Sequence, residues 1–179
     1  MDKLVIIGII VAIIGIVFII LINQYNKFQW SITLIQKGET SIMTALEKKY
    51  NILLRYLDFL RGNNVDIPDN EYEEYKLLNT KQPVEKLNKK INKMHNLINK
   101  YMDNNEKLLK NETIININKE LMDVDVNING GKKYYNDNLT MYNHLCNSFP
   151  SIVIAKIKRY KEKEYLDEET KEELKILEN

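Results

Sequence analysis

The chain has one cysteine, three prolines and one tryptophan in 179 residues, and it carries no excess of charge of either sign. A lone Cys146 can neither close an intramolecular disulfide nor pair with a second thiol in a metal or redox site. Lys and Arg number 26 against 25 Asp and Glu, so the net charge is +1 and the basic footprint of a nucleic-acid partner is missing. The two histidines, His95 and His144, fall in no Glu-x-x-His spacing, and there is no Gly-rich phosphate loop and no pattern joining Ser, His and Asp. No catalytic residue, cofactor or metal ligand is therefore expected. His95 reads as a half-buried helix histidine, and Cys146 as a small apolar filler on a buried stripe.

The prolines stand at 68, 83 and 150, leaving long tracts free of the residue that most strongly breaks helices. The first tract opens with Leu4 to Ile22, 19 residues without a polar side chain. As a helix this run is long enough to cross about 30 Å of hydrocarbon. A cleaved signal would have a shorter apolar core followed by small residues, whereas here the chain continues as Asn23-Gln24-Tyr25-Asn26-Lys27-Phe28. A retained anchor over residues 1–23 is expected, with the lipid bilayer as its partner. Lys3 on one flank is balanced by Lys27 and Lys37 on the other, so the positive-inside count is nearly tied and assigns no side. Gly8, Ala12 and Gly15 line a face small enough for another helix to approach; this reads either as the ordinary use of small residues in such a span or as a face for self-association.

Beyond the run the apolar positions take a helical period. Phe28, Ile32, Ile35, Ile42, Leu46, Tyr50, Leu53, Leu57 and Leu60 recur by threes and fours with a break at Glu39, and no proline intervenes before Arg61-Gly62. Anchor and first body helix are expected to form one continuous rod, ending where Gly62-Asn63-Asn64 offers C-cap chemistry. Residues 63 to 69 read as a loop. A polar segment from about Asp69 to Thr80 has the makings of two or three helical turns with a thin apolar face. Pro83 suits the first turn of the next helix, whose seam is Val84, Leu87, Ile91, Met94, Ile98, Tyr101 and Leu108.

The last long helix is expected from Asn111 or Thr113 to Phe149, stopped by Pro150. Ile114, Leu121, Ile128, Tyr135, Tyr142 and Phe149 fall seven apart, which marks Tyr135, Tyr142 and Phe149 as core. Gly130-Gly131 interrupts this tract, but the register continues across it, so a weakened helix is expected there and not a loop. If the three long helices run up, down and up, Phe149 finishes distal to the membrane, because a helix from 24 to 61 extends about 57 Å. The segment Ile152 to Lys161 mixes Ile152, Val153, Ile157 and Tyr160 with Lys156, Lys158, Arg159 and Lys161. It reads either as a cap over the far end of the bundle or as an interfacial helix that meets an opposing membrane or a partner.

These residues resemble the LemA family. Lys48-Lys49-Tyr50-Asn51-Ile52-Leu53 to Arg61-Gly62 is similar to the family's basic-basic-Tyr-Asp, apolar helix and Lys-Gly. Asn111-Glu112, Glu120-Leu121 and Ile128 are similar to its later positions. Tyr135-Asn136, Tyr142-Asn143, Phe149-Pro150-Ser151, Ala155, Tyr160-Lys161 and Tyr165 resemble its most specific stretch. The chain departs from the pattern at Leu54, Glu39, Gly130-Gly131 and Glu162. The resemblance implies an N-terminal membrane helix and a body of long antiparallel helices, with no established catalytic site to carry over.

The expected protein is thus all-α: a transmembrane helix over 1–23, an antiparallel bundle of three long helices plus short ones over 24–161, and a charged tail over 162–179. Its expected location is a bacterial cell membrane, crossed once. The expected role is structural or protein-interacting at the membrane surface, with partners that the sequence does not identify. A small-ligand receptor, metal-binding protein or enzyme with its site inside the bundle is the alternative. Candidate recognition residues are Asn136 and Asn143 beside the aromatic stripe, and Lys156, Lys158 and Arg159 in the basic segment.

Overall fold

The computed structural model describes residues 2–103 and 105–166. Every regular element among them is helical: α1 (Lys3–Gly62), α2 (Asp69–Lys76), α3 (Val84–Asp103), a 3₁₀ helix (Glu106–Lys110), α4 (Glu112–Asn147) and α5 (Ser151–Lys158). The chain divides into two compact units. One holds residues up to Lys37 and from Tyr134, and the other holds Gly38 to Lys133, so α1 and α4 contribute to both.

α1 is the expected continuous rod, and its apolar N-terminal run is exposed except at half-buried Leu21. It stops in a Schellman motif, in which Val65 N–H donates to Leu60 C=O and Asn64 N–H to Arg61 C=O, with Asn64 in the left-handed region at φ 60°. The left-handed residue is thus Asn64, while Gly62 still belongs to the helix. Asn111 opens α4, its side-chain Oδ1 accepting from Thr113 N–H at 2.9 Å. Pro83 precedes α3, and its carbonyl accepts from Leu87 N–H at 3.0 Å. The buried seam of α3 is Val84, Leu87, Ile91, Met94, Ile98 and Met102. Met102 takes the place expected for Tyr101, whose hydroxyl instead donates to Glu71 at 2.7 Å.

In the unit of residues 38–133, cross-helix pairs fix the directions. α2 descends beside α1, with Asp69 on Arg61, Tyr72 on Asp58 and the carbonyl of Tyr75 accepting from Tyr50. α3 then climbs parallel to α1, passing Lys49 at Asn92 and reaching Glu71 at Tyr101. α4 descends, with Glu120 on Arg55, Asp125 on Lys49 and Gly131 against Ile42. The long helices therefore run up, up and down, which corrects the alternating order expected from sequence. The downward step is made by α2 and the segment after it, which carry the chain back along α1 before α3 begins.

In the other unit α4 also runs opposite to α1, with Asn138 at Ser31 and Tyr142 on Phe28. The core there is Phe28, Ile35, Leu139, Tyr142, Cys146, Ile154 and Ala155, ringed by Leu21, Tyr25, Ile32, Tyr135, Leu145, Tyr160 and Tyr165. Two expectations about Phe149 fail. It is 84% exposed and not core, and it lies at the Phe28 end of α1 and not at the end distal to the apolar run. The physical reason is that α4 ends at Asn147, so the heptad register no longer governs the direction of the ring two residues later. Tyr142 is buried as expected, and Tyr135 is half-buried.

Candidate functional site

The aromatic heptad brings a polar stripe with it, because each asparagine directly follows a core position and lies about 100° around the helix from it. Asn136 is 1% exposed, and Asn143 is half-buried. Both turn to the segment after α5. Asn143 makes a two-point contact with one residue: its Nδ2 donates to Lys163 C=O and its Oδ1 accepts from Lys163 N–H, each at 3.0 Å. Asn136 Oδ1 accepts from Leu166 N–H at 3.2 Å. Two helical turns, the spacing of the asparagines, cover about 10.5 Å. Three residues of fully extended chain reach about the same distance. The seven-residue repeat therefore matches nearly extended backbone from Lys163 to Leu166.

Side chains on either edge fasten the same segment. The Thr140 hydroxyl, which donates to Asn136 C=O at 3.0 Å, lies 3.1 Å from the Tyr165 hydroxyl. Asn147 Nδ2 donates to Glu162, and Lys163 Nζ sits 5.6 Å above the Tyr142 ring. Tyr160 closes the start of the tail, its ring 5.0 Å from Phe28 and its hydroxyl accepting from Gln29 Nε2 at 3.0 Å. Burial pushes the Tyr142 phenol up to about 12 and raises the Cys146 thiol beside it, so both stay protonated and inert at neutral pH. The charged tail expected over 162–179 is thus docked as far as Leu166, and its later residues lie outside the described ones.

α5 carries the other candidate group. It buries Ser151, Ile154 and Ala155 and ends with Arg159 in the left-handed region at φ 57°. Tyr160 N–H there donates to Ala155 C=O at 2.9 Å. Lys156, Lys158 and Arg159 are exposed, and Lys158 Nζ stands 5.2 Å over the ring of Tyr25 on α1. The basic segment therefore packs at the Phe28 end of α1, which rules out the cap over a distal end. The structure brings Asn136 and Asn143 together on one docked segment and places Lys156, Lys158 and Arg159 on a different edge of the same unit.

Sequence reasoning missed a third polar centre, in the unit of residues 38–133. The Lys49 side chain is 7% exposed, and its ammonium lies 2.8 Å from Asp125 and 3.4 Å from Asn92 Oδ1. His95 is half-buried near both charges, and burial foremost, with help from Lys49, holds its pKa below the usual value. Among the described residues no group of three or more His, Cys, Asp or Glu is placed to hold a metal ion.

These features define an all-helical protein with one long apolar N-terminal helix, in which an amide pair grips the chain's own backbone. A family model described as LemA family matches residues 69–176, more than half of the chain, and the protein belongs to that family. The Lys48 to Gly62 motif lies outside the matched stretch. No curated protein and no solved structure shows significant similarity to the chain.

Proposed function

We propose that this LemA-family protein is a membrane-anchored, non-catalytic interaction protein: Leu4 to Ile22 cross a bilayer and the helical body engages protein partners at its surface. One observation carries the reading. The apolar run is part of the same uninterrupted helix as Phe28, Leu46 and Leu60, yet apart from half-buried Leu21 near its end it is exposed, while those residues are fully buried. Each Ile, Leu, Val or Phe left in water forgoes about 1.5–3 kcal/mol, so the run calls for lipid as its solvent. Continuation of the same helix into packed residues suits display of the helical body beside the membrane.

The polar side chains gathered on α4 support the non-catalytic part of the proposal. The amides of Asn136 and Asn143 are occupied by tail backbone, and the hydroxyl of Thr140 meets that of Tyr165. Such groups read main chain and hold geometry. Neither the two amides nor the Thr140 hydroxyl is a nucleophile set beside a base.

The test has two stages. Alkaline carbonate extraction should leave the full chain with the membrane pellet and release a chain lacking residues 1–23, and release of both would overturn the anchor. In-membrane crosslinking should then give discrete adducts that depend on folded body surfaces. If no adduct exceeds that of an unrelated anchored helix, or if the purified chain binds a metal or metabolite stoichiometrically, the interaction reading fails.

A further inference from the structure

The position of α5 along α1 is fixed by packing. Ile154 and Ala155 of α5 share one buried cluster with Phe28, and Leu21 and Tyr25 pack against that cluster. Leu21 belongs to the apolar run itself. The Lys158 ammonium lies 5.2 Å over the Tyr25 ring, and Tyr25 is only three residues, about 4.5 Å of helix rise, beyond Ile22. α5 therefore sits within about one helical turn of the point where the run ends. The headgroup layer on each face of a bilayer is about 5–7 Å deep, so α5 lies at its level.

The edge of α5 turned away from the core has the composition of an element made for that layer. Val153 and Ile157 lie one turn apart on α5 and are 37% and 66% exposed, and Phe149, just before the helix, is 84% exposed. Basic side chains flank this row. Lys156 and Arg159 are exposed beside it, and Lys158 reaches over the Tyr25 ring. On α1, Lys27 adds another exposed cation near the end of the run. An apolar row beside a basic edge is stabilised at an interface by burial of the row and by attraction of the cations to anionic lipid.

We infer that α5, with Phe149 before it, lies in the headgroup layer of the same bilayer that the N-terminal run crosses. Phe149, Val153 and Ile157 dip toward the acyl boundary, and Lys156 and Arg159 meet anionic phosphates. The unit that holds both then touches the membrane at two places, the anchor and α5. The inference rests on the anchor reading proposed above, and it places α5 on its own membrane and not on an opposing one.

The test uses the full chain in nanodiscs containing neutral and anionic phospholipid. Single cysteines replace, in separate variants, Val11, Phe149, Ile157 and Met122, the last an exposed α4 residue of the other unit. Each is labelled with an environment-sensitive fluorophore. The native Cys146 is buried with its thiol pushed up, and the wild-type chain carried through the same labelling gives its background. Val11 should be quenched by deep acyl-chain nitroxides. Phe149 and Ile157 should be quenched by shallow nitroxides, and protected from aqueous iodide, several-fold more than Met122. In neutral nanodiscs the shallow quenching at both should weaken.

Val11 in lipid with Phe149 and Ile157 behaving like Met122 overturns this inference and leaves the anchor standing. Val11 open to iodide overturns both. Protection of Phe149 and Ile157 from iodide without shallow quenching means that protein, a second copy or a partner, covers the edge, and this too overturns the inference. Shallow quenching that is unchanged in neutral nanodiscs overturns the role of the cations.

Discussion

Gly131 of α4 lies directly against Ile42 of α1: a β-carbon at Gly131 would stand 2.9 Å from Ile42 Cγ1 and 3.6 Å from its backbone nitrogen. Nothing lies within 4 Å of the corresponding position on Gly130. The two glycines thus have different roles in one helix. Gly131 permits close approach to a fully buried isoleucine, and Gly130 carries only the entropic penalty of glycine in a helix.

The first prediction separates them. Gly130→Ala should stabilise the protein by about 0.5–1 kcal/mol, since alanine is the better helix former and meets nothing. Gly131→Ala should destabilise by about 1–2 kcal/mol, because Ile42 must shift in a filled core and overpacking outweighs the helix gain. Thermal unfolding of the detergent-solubilised chain should rank the midpoints Gly130→Ala, wild type, Gly131→Ala. The same sign for both substitutions would sink this account.

A second prediction concerns charge. The Lys49 side chain is 7% exposed while that of Asp125 is 40% exposed, so the burden of desolvation falls on the ammonium. Asp125→Asn leaves that ammonium buried without its counter-charge, and a loss of about 1–3 kcal/mol is expected, below the full value for a deeply buried pair because water reaches Asp125. Lys49→Met should cost less, since the freed carboxylate is resolvated. The Arg55–Glu120 pair is exposed on both sides, and Glu120→Gln should stay within about 0.5 kcal/mol. Urea midpoints of the three variants give the order directly.

The docked tail offers a kinetic readout. Asn143 supplies two hydrogen bonds to Lys163, and each is worth about 0.5–1.5 kcal/mol net. Asn143→Ala should raise the open fraction of the segment by roughly 5-fold to 100-fold, at 1.4 kcal/mol per tenfold. Tryptic cleavage after Lys161 and Lys163 should accelerate accordingly, with no change in cleavage inside α3. Asn143→Asp keeps the acceptor and loses the donor, so it should fall between the two. Equal cleavage in all three chains would remove Asn143 from the docking.

Much of this architecture is legible in the residues, and what is not has physical reasons. The extents of α1, α3 and α4 follow from period and punctuation: Asn64 past the first helix, Pro83 before the second, Asn111 and Pro150 around the third. Phe149 misleads because it keeps the heptad spacing after the helix that gives the spacing meaning has ended. The direction of α3 depends on how far α2 and the residues after it travel, which no periodicity encodes. Lys49 looks like an ordinary surface lysine until α4 is set in register against α1 and brings Asp125 to it. The asparagines were visible as polar neighbours of the aromatic stripe. Their partners were not, since they grip backbone, and a backbone amide has no sequence signature.

The last prediction follows from His95. Burial foremost, and then the charge of Lys49, hold its folded pKa below the ordinary 6.5, while Asp125 pulls the other way. The folded protein therefore binds the imidazole proton more weakly than the unfolded chain does. Above about pH 7.5 both states are neutral at this residue and it makes no pH-dependent contribution. As pH falls through 6.5 the unfolded chain takes up a proton that the folded one resists, and stability declines until the folded pKa is passed, where the loss levels off. His95→Gln lacks this proton, so melting midpoints of wild type and variant, compared from about pH 8 to about pH 5, should diverge on the acid side with the wild type falling faster. Carboxylate protonation affects both chains alike and cancels in the difference. Asp125→Asn removes the one influence that raises the His95 pKa, so in that background the acid loss attributable to His95 should deepen. Parallel pH profiles for wild type and His95→Gln would show that His95 titrates in the folded chain as it does in the unfolded one.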